Sequence, residues 1–187
     1  MCGDAYQSFT DRRSVAHIIL SDGMGSGTAA AVDSNMTVSL LQKLIDAGVG
    51  YQAALKIVNS ALLVKSGEES LSTIDITAVN LYTGQAWFYK AGAAPTFLRR
   101  SKRCGLVEST SLPAGILTAV DFEKSSVRLG DGDMIVMVSD GATACGTDWI
   151  SSVVEHFPAD GNLQALCDDI ASTACLRRND NHDDDIT

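Results

Sequence analysis

Acidic residues follow two apolar runs of this sequence and also close it. The run Val15–Leu20 ends in Ser21-Asp22-Gly23, the run Met134–Val138 ends in Ser139-Asp140-Gly141, and the last residues are His182–Thr187. Clustered carboxylates repel one another, and a bound divalent cation relieves that repulsion. Carboxylate and carbonyl oxygens suit Mg²⁺, Mn²⁺ or Ca²⁺ and not zinc. Convergence of these segments would therefore form a hard-cation site.

The glycines after Asp22 strengthen this interpretation. Gly23, Gly25 and Gly27 alternate with other residues, and glycine lets a backbone turn sharply and approach a ligand closely. A carboxylate at the end of a strand, followed by flexible backbone, suits a hard cation or a phosphate-bearing substrate. Asp-Gly pairs are also common in plain turns, so the argument depends on the recurrence of the pair at Asp140.

Composition limits the class of protein. The chain has 187 residues, 45% of them hydrophobic and 20% charged, which predicts a single globular domain over residues 1–187. Its formal net charge of −9 argues against nucleic-acid binding. No apolar run approaches the roughly 20 residues of a membrane span, and no signal peptide opens the chain. We therefore expect no membrane contact by this segment and a cytoplasmic location, with the five cysteines reduced.

The periodicity of the apolar residues predicts an α+β fold. Residues 28–47 and 51–64 read as two amphipathic helices separated by Gly48, and residues 149–157 and 162–176 read as two more. Strands are predicted over residues 15–20, 72–81, 86–90, 96–99, 122–129 and 134–138, the last two pairing across the turn at 130–133. Strand runs with segregated helix pairs predict antiparallel sheets flanked by helices.

Several charged residues receive a structural interpretation. Arg12 and Arg13 could meet a phosphate, but a solvated hairpin turn is the simpler prediction. The basic run Arg99–Arg103 is interpreted as a solvated hairpin tip, and His17 as a satisfied core residue. The final Asp185-Ile186-Thr187 looks like the entry to a further strand, so we expect the sequence to be a fragment of a longer protein.

A series of short motifs recurs along the chain in a fixed order. They are Gly3-Asp4, Ser21–Gly25, Lys90–Pro95, Leu112–Ile116, Gly132-Asp133, Ser139–Gly141 and Asp184–Thr187. This series resembles the metal-dependent PP2C-like serine phosphatases of bacteria, and within them the stage II sporulation protein E branch, which residues 59–60 and 72–75 also fit. The resemblance covers nearly the whole chain, and it implies a β-sandwich of two mainly antiparallel sheets flanked by helix pairs.

The resemblance also implies roles for individual residues. Asp22 matches the carboxylate that bridges two Mn²⁺ or Mg²⁺ ions, and Gly23 matches the glycine whose carbonyl binds one of them. Asp140 and Asp184 match the remaining metal carboxylates, so that Asp22, Asp140 and Asp184 form the catalytic set. Two residues are implied to lie in the outer shell of the metals, Asp4 through water and Asp185.

The implied activity is hydrolysis of phosphoserine on a regulatory protein. Two cations lower the pKa of a water held between them, and the resulting hydroxide attacks the phosphorus. The implied substrate is a phosphorylated anti-anti-sigma factor, whose dephosphorylation would activate a sporulation sigma factor. Proteins of this branch carry a membrane-spanning N-terminal part, so the full-length protein is expected to be anchored in the cell membrane. The sequence leaves the oligomeric state open, and a homodimer is compatible with it.

Two other functions remain open at this point. One is a catalytically inactive, phosphatase-like binding module, although such proteins usually lose a metal carboxylate. The other is an ATP-binding domain similar to anti-sigma kinases, because Asp22-Gly23-Met24-Gly25 resembles their Asp-x-Gly-x-Gly box. Those kinases also need an upstream helix that bears an asparagine, whereas the upstream stretch here reads as a short hairpin.

Overall fold

The computed structural model describes residues 2–25, 27–65, 70–118, 122–158, 160–178 and 185–187. The chain divides into two compact units, here called unit 1 (residues 1–93 and 109–128) and unit 2 (residues 94–108 and 129–187). The single domain over residues 1–187 therefore stays a prediction. Among the described residues, no helix combines the length and apolar character that a membrane span requires.

The described strands of unit 1 form a five-stranded antiparallel sheet. Its order is β1–β2–β3–β4–β7, and every neighbouring pair is antiparallel. Strands β1 and β2 form a hairpin whose turn places Ser14 at a φ of 58°. The strands are β1 Asp4–Thr10, β2 Val15–Asp22, β3 Ile74–Asn80, β4 Gln85–Ala91 and β7 Glu123–Arg128.

Two helices bury their apolar stripes in the core of unit 1. Helix α1, Thr28–Asp46, packs against β1 and β2, and α2, Tyr51–Lys65, packs against α1. Gly48 follows α1 with a φ of 85°, as predicted for a C-cap glycine. The periodicity of apolar side chains drives this packing, since one helix stripe meets alternate residues of the strands. The shared core includes Ile19, Val38, Leu41, Ile45, Leu55, Val58, Leu62, Ile74 and Ile76.

Unit 2 combines a small sheet with three helices. The sheet order is β6–β5–β8, formed by β5 Thr96–Arg100, β6 Arg103–Val107 and β8 Met134–Val136. The helices are α3 Asp140–Thr143, α4 Asp148–His156 and α5 Leu163–Arg177. Asn162 caps α5 by accepting a hydrogen bond of 2.9 Å from the amide of Gln164. The core of this unit includes Phe97, Trp149, Ile150, Val154, Leu166 and Ile170.

One predicted strand pairing is wrong. The sequence suggested that residues 122–129 pair with 134–138 across the turn at 130–133. Instead β7 pairs with β4 in unit 1, and β8 pairs with β5 in unit 2. The turn residues 130–133 therefore connect two different sheets and do not close a hairpin.

The basic hairpin tip is only partly solvated, because Arg99 is buried. Its side chain is 4% exposed, and its guanidinium donates hydrogen bonds to the carbonyls of Val154 and Phe157 at 3.2 and 2.5 Å. It also donates to the carbonyl of Gly132 at 3.3 Å. These acceptors lie at the end of α4 and in the turn before β8, and a cation is favoured at a helix C-terminus. Arg99 thus ties three segments of unit 2 together.

His17 is a core residue of unit 1, as the sequence predicted. Its ring stacks on Phe9 at a centroid distance of 4.6 Å, and its Nδ1 shares a hydrogen bond of 3.3 Å with the hydroxyl of Tyr51. Its Nε2 lies 3.5 Å from Oδ2 of Asp11. Burial lowers the pKa of His17, and the Asp11 carboxylate opposes only part of that change. Burial also raises the pKa of Tyr51 to about 12.

Replacing Arg99 by methionine should destabilise the protein. The substitution keeps an unbranched side chain but leaves three main-chain carbonyls without their donor, and we expect the free energy of unfolding to fall by about 2–4 kcal/mol. The control is Arg100→Met, because the Arg100 side chain is 56% exposed and pairs with Asp133 at 3.5 Å. Urea denaturation compares the two variants. Equal losses of unfolding free energy in the two variants would show that the buried hydrogen bonds of Arg99 add no stability.

Unfolding should also depend on pH through His17. Since its pKa is lower in the folded protein, the unfolded chain binds more protons below pH about 6.5, and stability falls as the pH drops from there. Replacing His17 by glutamine should flatten that slope by up to about 1.4 kcal/mol per pH unit. Denaturant titrations between pH 7 and 5 measure the slope, with the exposed His156→Gln as the control. An unchanged slope in His17→Gln would contradict the assignment.

Candidate metal centre

Two of the predicted site residues face each other across the β1–β2 hairpin. Asp4 and Asp22 are directly paired in the antiparallel register. Residues paired in this way present their side chains on the same face of the sheet, and like charges in that position are destabilising. Asp4 is 9% exposed, and its Oδ2 has no hydrogen-bond partner among the described residues. A buried, unpartnered carboxylate oxygen opposite a second carboxylate fits a divalent cation.

Hydroxyl groups fix the main chain at Asp22. The amide of Asp22 donates to the hydroxyl of Thr73 at 2.8 Å, and the carbonyl of Asp22 accepts from the amide of Thr73 at 2.8 Å. The hydroxyl of Ser72 also donates to the Asp22 carbonyl, at 3.1 Å. Ser21 and Ser72 join their hydroxyl groups at 2.6 Å, and both residues are fully buried. Asp22 is therefore held at the end of its strand before any ligand binds.

Gly23 lies close to the first turn of α1. A Cβ atom built on Gly23 would lie 1.9 Å from the carbonyl oxygen of Ala30, which no side chain could tolerate. The amide of Gly23 donates to the carbonyl of Gly3 at 3.1 Å, and Gly23 forms an isolated β-bridge with Ser72. Glycine is therefore required for close approach between the segment after Asp22 and helix α1.

Asp140 occupies the start of the short helix α3 in unit 2. Ser139 precedes it in an extended conformation, and the carbonyl of Asp140 accepts a hydrogen bond of 3.0 Å from the hydroxyl of Thr143. The Asp140 side chain is exposed to solvent. The sequence did not predict α3, because a four-residue helix has no apolar period to detect.

The last residues of the chain lie against the Asp140 loop. The amide of Ser139 donates to the carbonyl of Thr187 at 2.9 Å, and the amide of Thr187 donates to the Ser139 hydroxyl at 3.0 Å. A Cβ atom on Gly141 would lie 2.0 Å from the carbonyl oxygen of Asp185. The structure thus places the segment that follows Asp184 directly beside Gly141, as convergence of the Ser139–Gly141 motif with the terminal cluster requires.

Asp184 itself lies outside the described residues, as do His182 and Asp183. Within the described ranges, no group of three or more His, Cys, Asp or Glu side chains comes together as a metal site. The structure therefore brings Asp4 to Asp22, and it brings the Asp140 loop to residues 185–187. The donors it presents are carboxylate and main-chain oxygens, which suit Mg²⁺ or Mn²⁺.

The sequence predicted no contact between Asp22 and the hydroxyl groups around it. Ser72 and Thr73 open the predicted strand 72–81 and belong to the family resemblance, but the observed strand begins at Ile74. Two adjacent hydroxyl residues at the start of a β-rich run are the local signal for side-chain bonding to a neighbouring backbone. The expected solvated turn at Arg12 and Arg13 is confirmed. Both are exposed, and Arg13 donates from its amide and its guanidinium to Asp11.

Solved structures define the class of fold. A structure of the PP2C phosphatase domain and a fragment of the regulatory domain of the cell fate determinant SpoIIE from Bacillus subtilis superposes with a TM-score of 0.84 at 29% identity, covering 98% of this chain and 55% of that one. A serine/threonine phosphatase from S. agalactiae superposes with a TM-score of 0.82 at 20% identity, covering 95% and 88%. The mixed α/β architecture with antiparallel sheets is thus that of the PP2C phosphatases, as the sequence predicted.

Sequence comparison then identifies the family. The model of the stage II sporulation protein E family matches residues 13–187, so the chain belongs to that family. Stage II sporulation protein E of Bacillus subtilis (strain 168) is 34% identical over 139 residues, which are 74% of this chain and 17% of that protein. Phosphoserine phosphatase RsbU of the same organism is 29% identical over 150 residues, which are 79% and 44%. The chain spans less than half the length of either relative.

Replacing Gly23 by alanine should disturb the contact between the segment after Asp22 and helix α1. The new methyl group cannot coexist with the Ala30 carbonyl, so α1 or that segment must shift, and we expect the free energy of unfolding to fall by about 1–3 kcal/mol. The control is Gly105→Ala, where the nearest atom to the added Cβ lies 4.0 Å away. Thermal and urea denaturation compare the variants. If Gly23→Ala were as stable as Gly105→Ala, the close approach would not constrain this segment.

Proposed function

We propose that this chain is a metal-dependent protein serine/threonine phosphatase domain that hydrolyses phosphoserine on a regulatory protein. The observation that carries the proposal is the pair of facing aspartates, buried Asp4 and half-buried Asp22, with Asp22 at the end of a strand whose next residue must be glycine. Membership of a family whose relatives are PP2C-like serine phosphatases supports the same reaction.

The proposed metal ligands are Asp22, the carbonyl of Gly23, Asp140 and Asp184, for two Mn²⁺ or Mg²⁺ ions. Asp4 is proposed to act through water, because its unpartnered oxygen lies on the same face as the Asp22 side chain. When bound, such ions supply Lewis acidity that activates water and neutralises charge on a phosphoryl group. The residues of the chain hold the ions and keep the carboxylates oriented, which preorganises the site before substrate arrives.

Direct attack by water is the proposed route, without a covalent phosphoenzyme. None of the five cysteines is followed by arginine at the spacing of a Cys-x₅-Arg nucleophile motif. Met24 stands where eukaryotic relatives carry a histidine, and its thioether cannot donate a proton. Protonation of the leaving serine oxygen is therefore assigned to water or to a group on the substrate.

The proposed substrate is a phosphorylated anti-anti-sigma factor, whose dephosphorylation would activate a sporulation sigma factor. Membership of the stage II sporulation protein E family and similarity to a protein named phosphoserine phosphatase RsbU support this choice. Because such a substrate regulates transcription, we place this domain in the cytoplasm. We propose that the full-length protein is anchored in the cell membrane by a part outside this segment.

Hydrolysis of a small aryl phosphate tests the proposal. The chain should turn over the ester only with Mn²⁺ or Mg²⁺, and replacing Asp22, Asp140 or Asp184 by asparagine should lower the rate by about 100-fold or more, since metal ligation supplies most of the rate enhancement. Asp131→Asn, in the turn before β8, is the matched control and should retain the wild-type rate.

Titration calorimetry with Mn²⁺ and with ATP separates the alternatives. Metal binding without turnover of any phosphoserine protein would favour an inactive binding module. Binding of ATP would favour the kinase-like domain. Turnover that does not depend on metal would contradict the proposed site.

A further inference from the structure

We propose that Thr73 is a positioning residue for the metal centre, and that its hydroxyl sets the direction of the main chain at Asp22 and Gly23. The inference rests on the proposed function, because it concerns the same metal ligands. The bonds between Thr73 and Asp22 that carry this inference are to the main chain of Asp22. Thr73 acts through the peptide groups on either side of Asp22.

The main-chain hydrogen bonding that joins β2 to the neighbouring strand changes where Asp22 lies opposite Thr73. The regular ladder runs as far as Leu20 opposite Asp75, and continuation of the register places Asp22 opposite Thr73 and Gly23 opposite Ser72. Residues opposed in a hydrogen-bonded antiparallel pair exchange both main-chain bonds. Here only one of the two is a main-chain bond, from the amide of Thr73 to the carbonyl of Asp22 at 2.8 Å.

Side-chain hydroxyl groups replace the second main-chain bond. The carbonyl of Thr73 accepts from the hydroxyl of Ser21 at 2.6 Å, and the amide of Asp22 donates to the Thr73 hydroxyl at 2.8 Å. The acceptor for the Asp22 amide is therefore the side-chain hydroxyl of Thr73 and not its main-chain carbonyl. This exchange lets the peptide of Asp22 depart from the ladder while its hydrogen bonds remain satisfied.

The groups that form this exchange are themselves fixed. Ser72 exchanges two main-chain bonds with Ala114, at 3.1 and 3.0 Å. Asn59 of α2 binds the segment that follows Ala114. Its side chain accepts from the amide of Gly115 at 2.8 Å and donates to the carbonyl of Leu117 at 2.9 Å. The Leu112–Ile116 motif thus supports Ser72, whose hydroxyl contacts the main chain of Asp22.

A conformation fixed in this way affects the ligands directly. Asp22 and Gly23 are consecutive, so rotation of one peptide moves both the carboxylate and the glycine carbonyl. Groups that orient metal ligands from the outer shell typically change metal affinity by about 10- to 100-fold when they are removed. We expect Thr73→Val, which keeps the shape of the side chain and removes the hydroxyl, to weaken Mn²⁺ binding within that range.

Two matched variants isolate the hydroxyl. Thr73→Ser retains the hydroxyl and should bind Mn²⁺ as the wild type does. Thr77→Val removes a hydroxyl from the same strand, and the Thr77 oxygen has no hydrogen-bond partner among the described residues. Thr77→Val should therefore leave Mn²⁺ affinity unchanged.

The experiment is Mn²⁺ titration calorimetry on the 187-residue chain, together with the melting temperature of each metal-free variant. Weakened binding by Thr73→Val at a temperature where it is fully folded, with rescue by Thr73→Ser, supports the inference. Wild-type affinity in Thr73→Val, with or without a lower melting temperature, assigns the hydroxyl to stability alone and overturns it. Equal weakening in Thr77→Val would also overturn it.

Two further outcomes are separable. If Thr73→Val does not fold, Ser72→Ala replaces it, since that variant removes the hydroxyl that donates to the Asp22 carbonyl. Weaker Mn²⁺ binding by Ser72→Ala then supports the inference, and unchanged binding overturns it. If the wild-type chain binds no Mn²⁺, or if Asp22→Asn binds it equally well, the proposed function fails and this inference fails with it. Normal wild-type binding that is lost in Asp22→Asn keeps the proposed function whatever the Thr73 variants do.

Discussion

Strand β2 is the constraint on which the candidate site depends, because it is paired with β1 as far as Asp22 and with β3 as far as Leu20. On one side its register with β1 sets Asp4 opposite Asp22. On the other side, Ser72 and Thr73 hold the main chain of Asp22 just beyond the β2–β3 ladder. A shift of one residue in either pairing would turn the side chain of Asp22 to the opposite face of the sheet. The apolar core that fixes this register therefore also fixes the chemistry.

The same arrangement places the like charges of Asp4 and Asp22 close together, and their repulsion does not stabilise the fold. Two facing carboxylates, one of them buried, oppose folding in the absence of a counter-charge. Stability for unit 1 comes from elsewhere, chiefly from the apolar stripes of α1 and α2 against the sheet. A stable apolar core combined with mutually repelling carboxylates is the arrangement expected of a site that binds a cation.

Local patterns predicted the local structure well. The period of apolar residues placed α1 and α2 within one or two residues of their observed bounds, and Gly48 marked the end of α1. Asp22 and Asp140 were visible in the sequence because each follows an apolar run. Of the predicted ligands, Asp22 and Asp140 appear at element boundaries, whereas Asp184 lies outside the described residues.

What the sequence missed depends on partners distant along the chain. The turn at residues 130–133 has the composition of a hairpin, but the strands on either side of it pair with β4 and β5. Arg99 stands in a basic run that reads as exposed, yet its acceptors lie more than 30 residues away at Gly132 and more than 50 away at Val154. Composition cannot reveal that a charged group has carbonyl partners distant along the chain.

The contact between Ser139 and Thr187 has a consequence for the order in which the protein is made. A ribosome delivers the chain from its N-terminus, so strands β1 to β4 and both helices of unit 1 can begin to fold early. Ser139 cannot complete its hydrogen bonds until residue 187 has emerged. The loop that carries Asp140 is thus completed later than the strands and helices of unit 1. A nascent chain that stops short of residue 187 would contain those elements but lack the hydrogen bonds between Ser139 and Thr187.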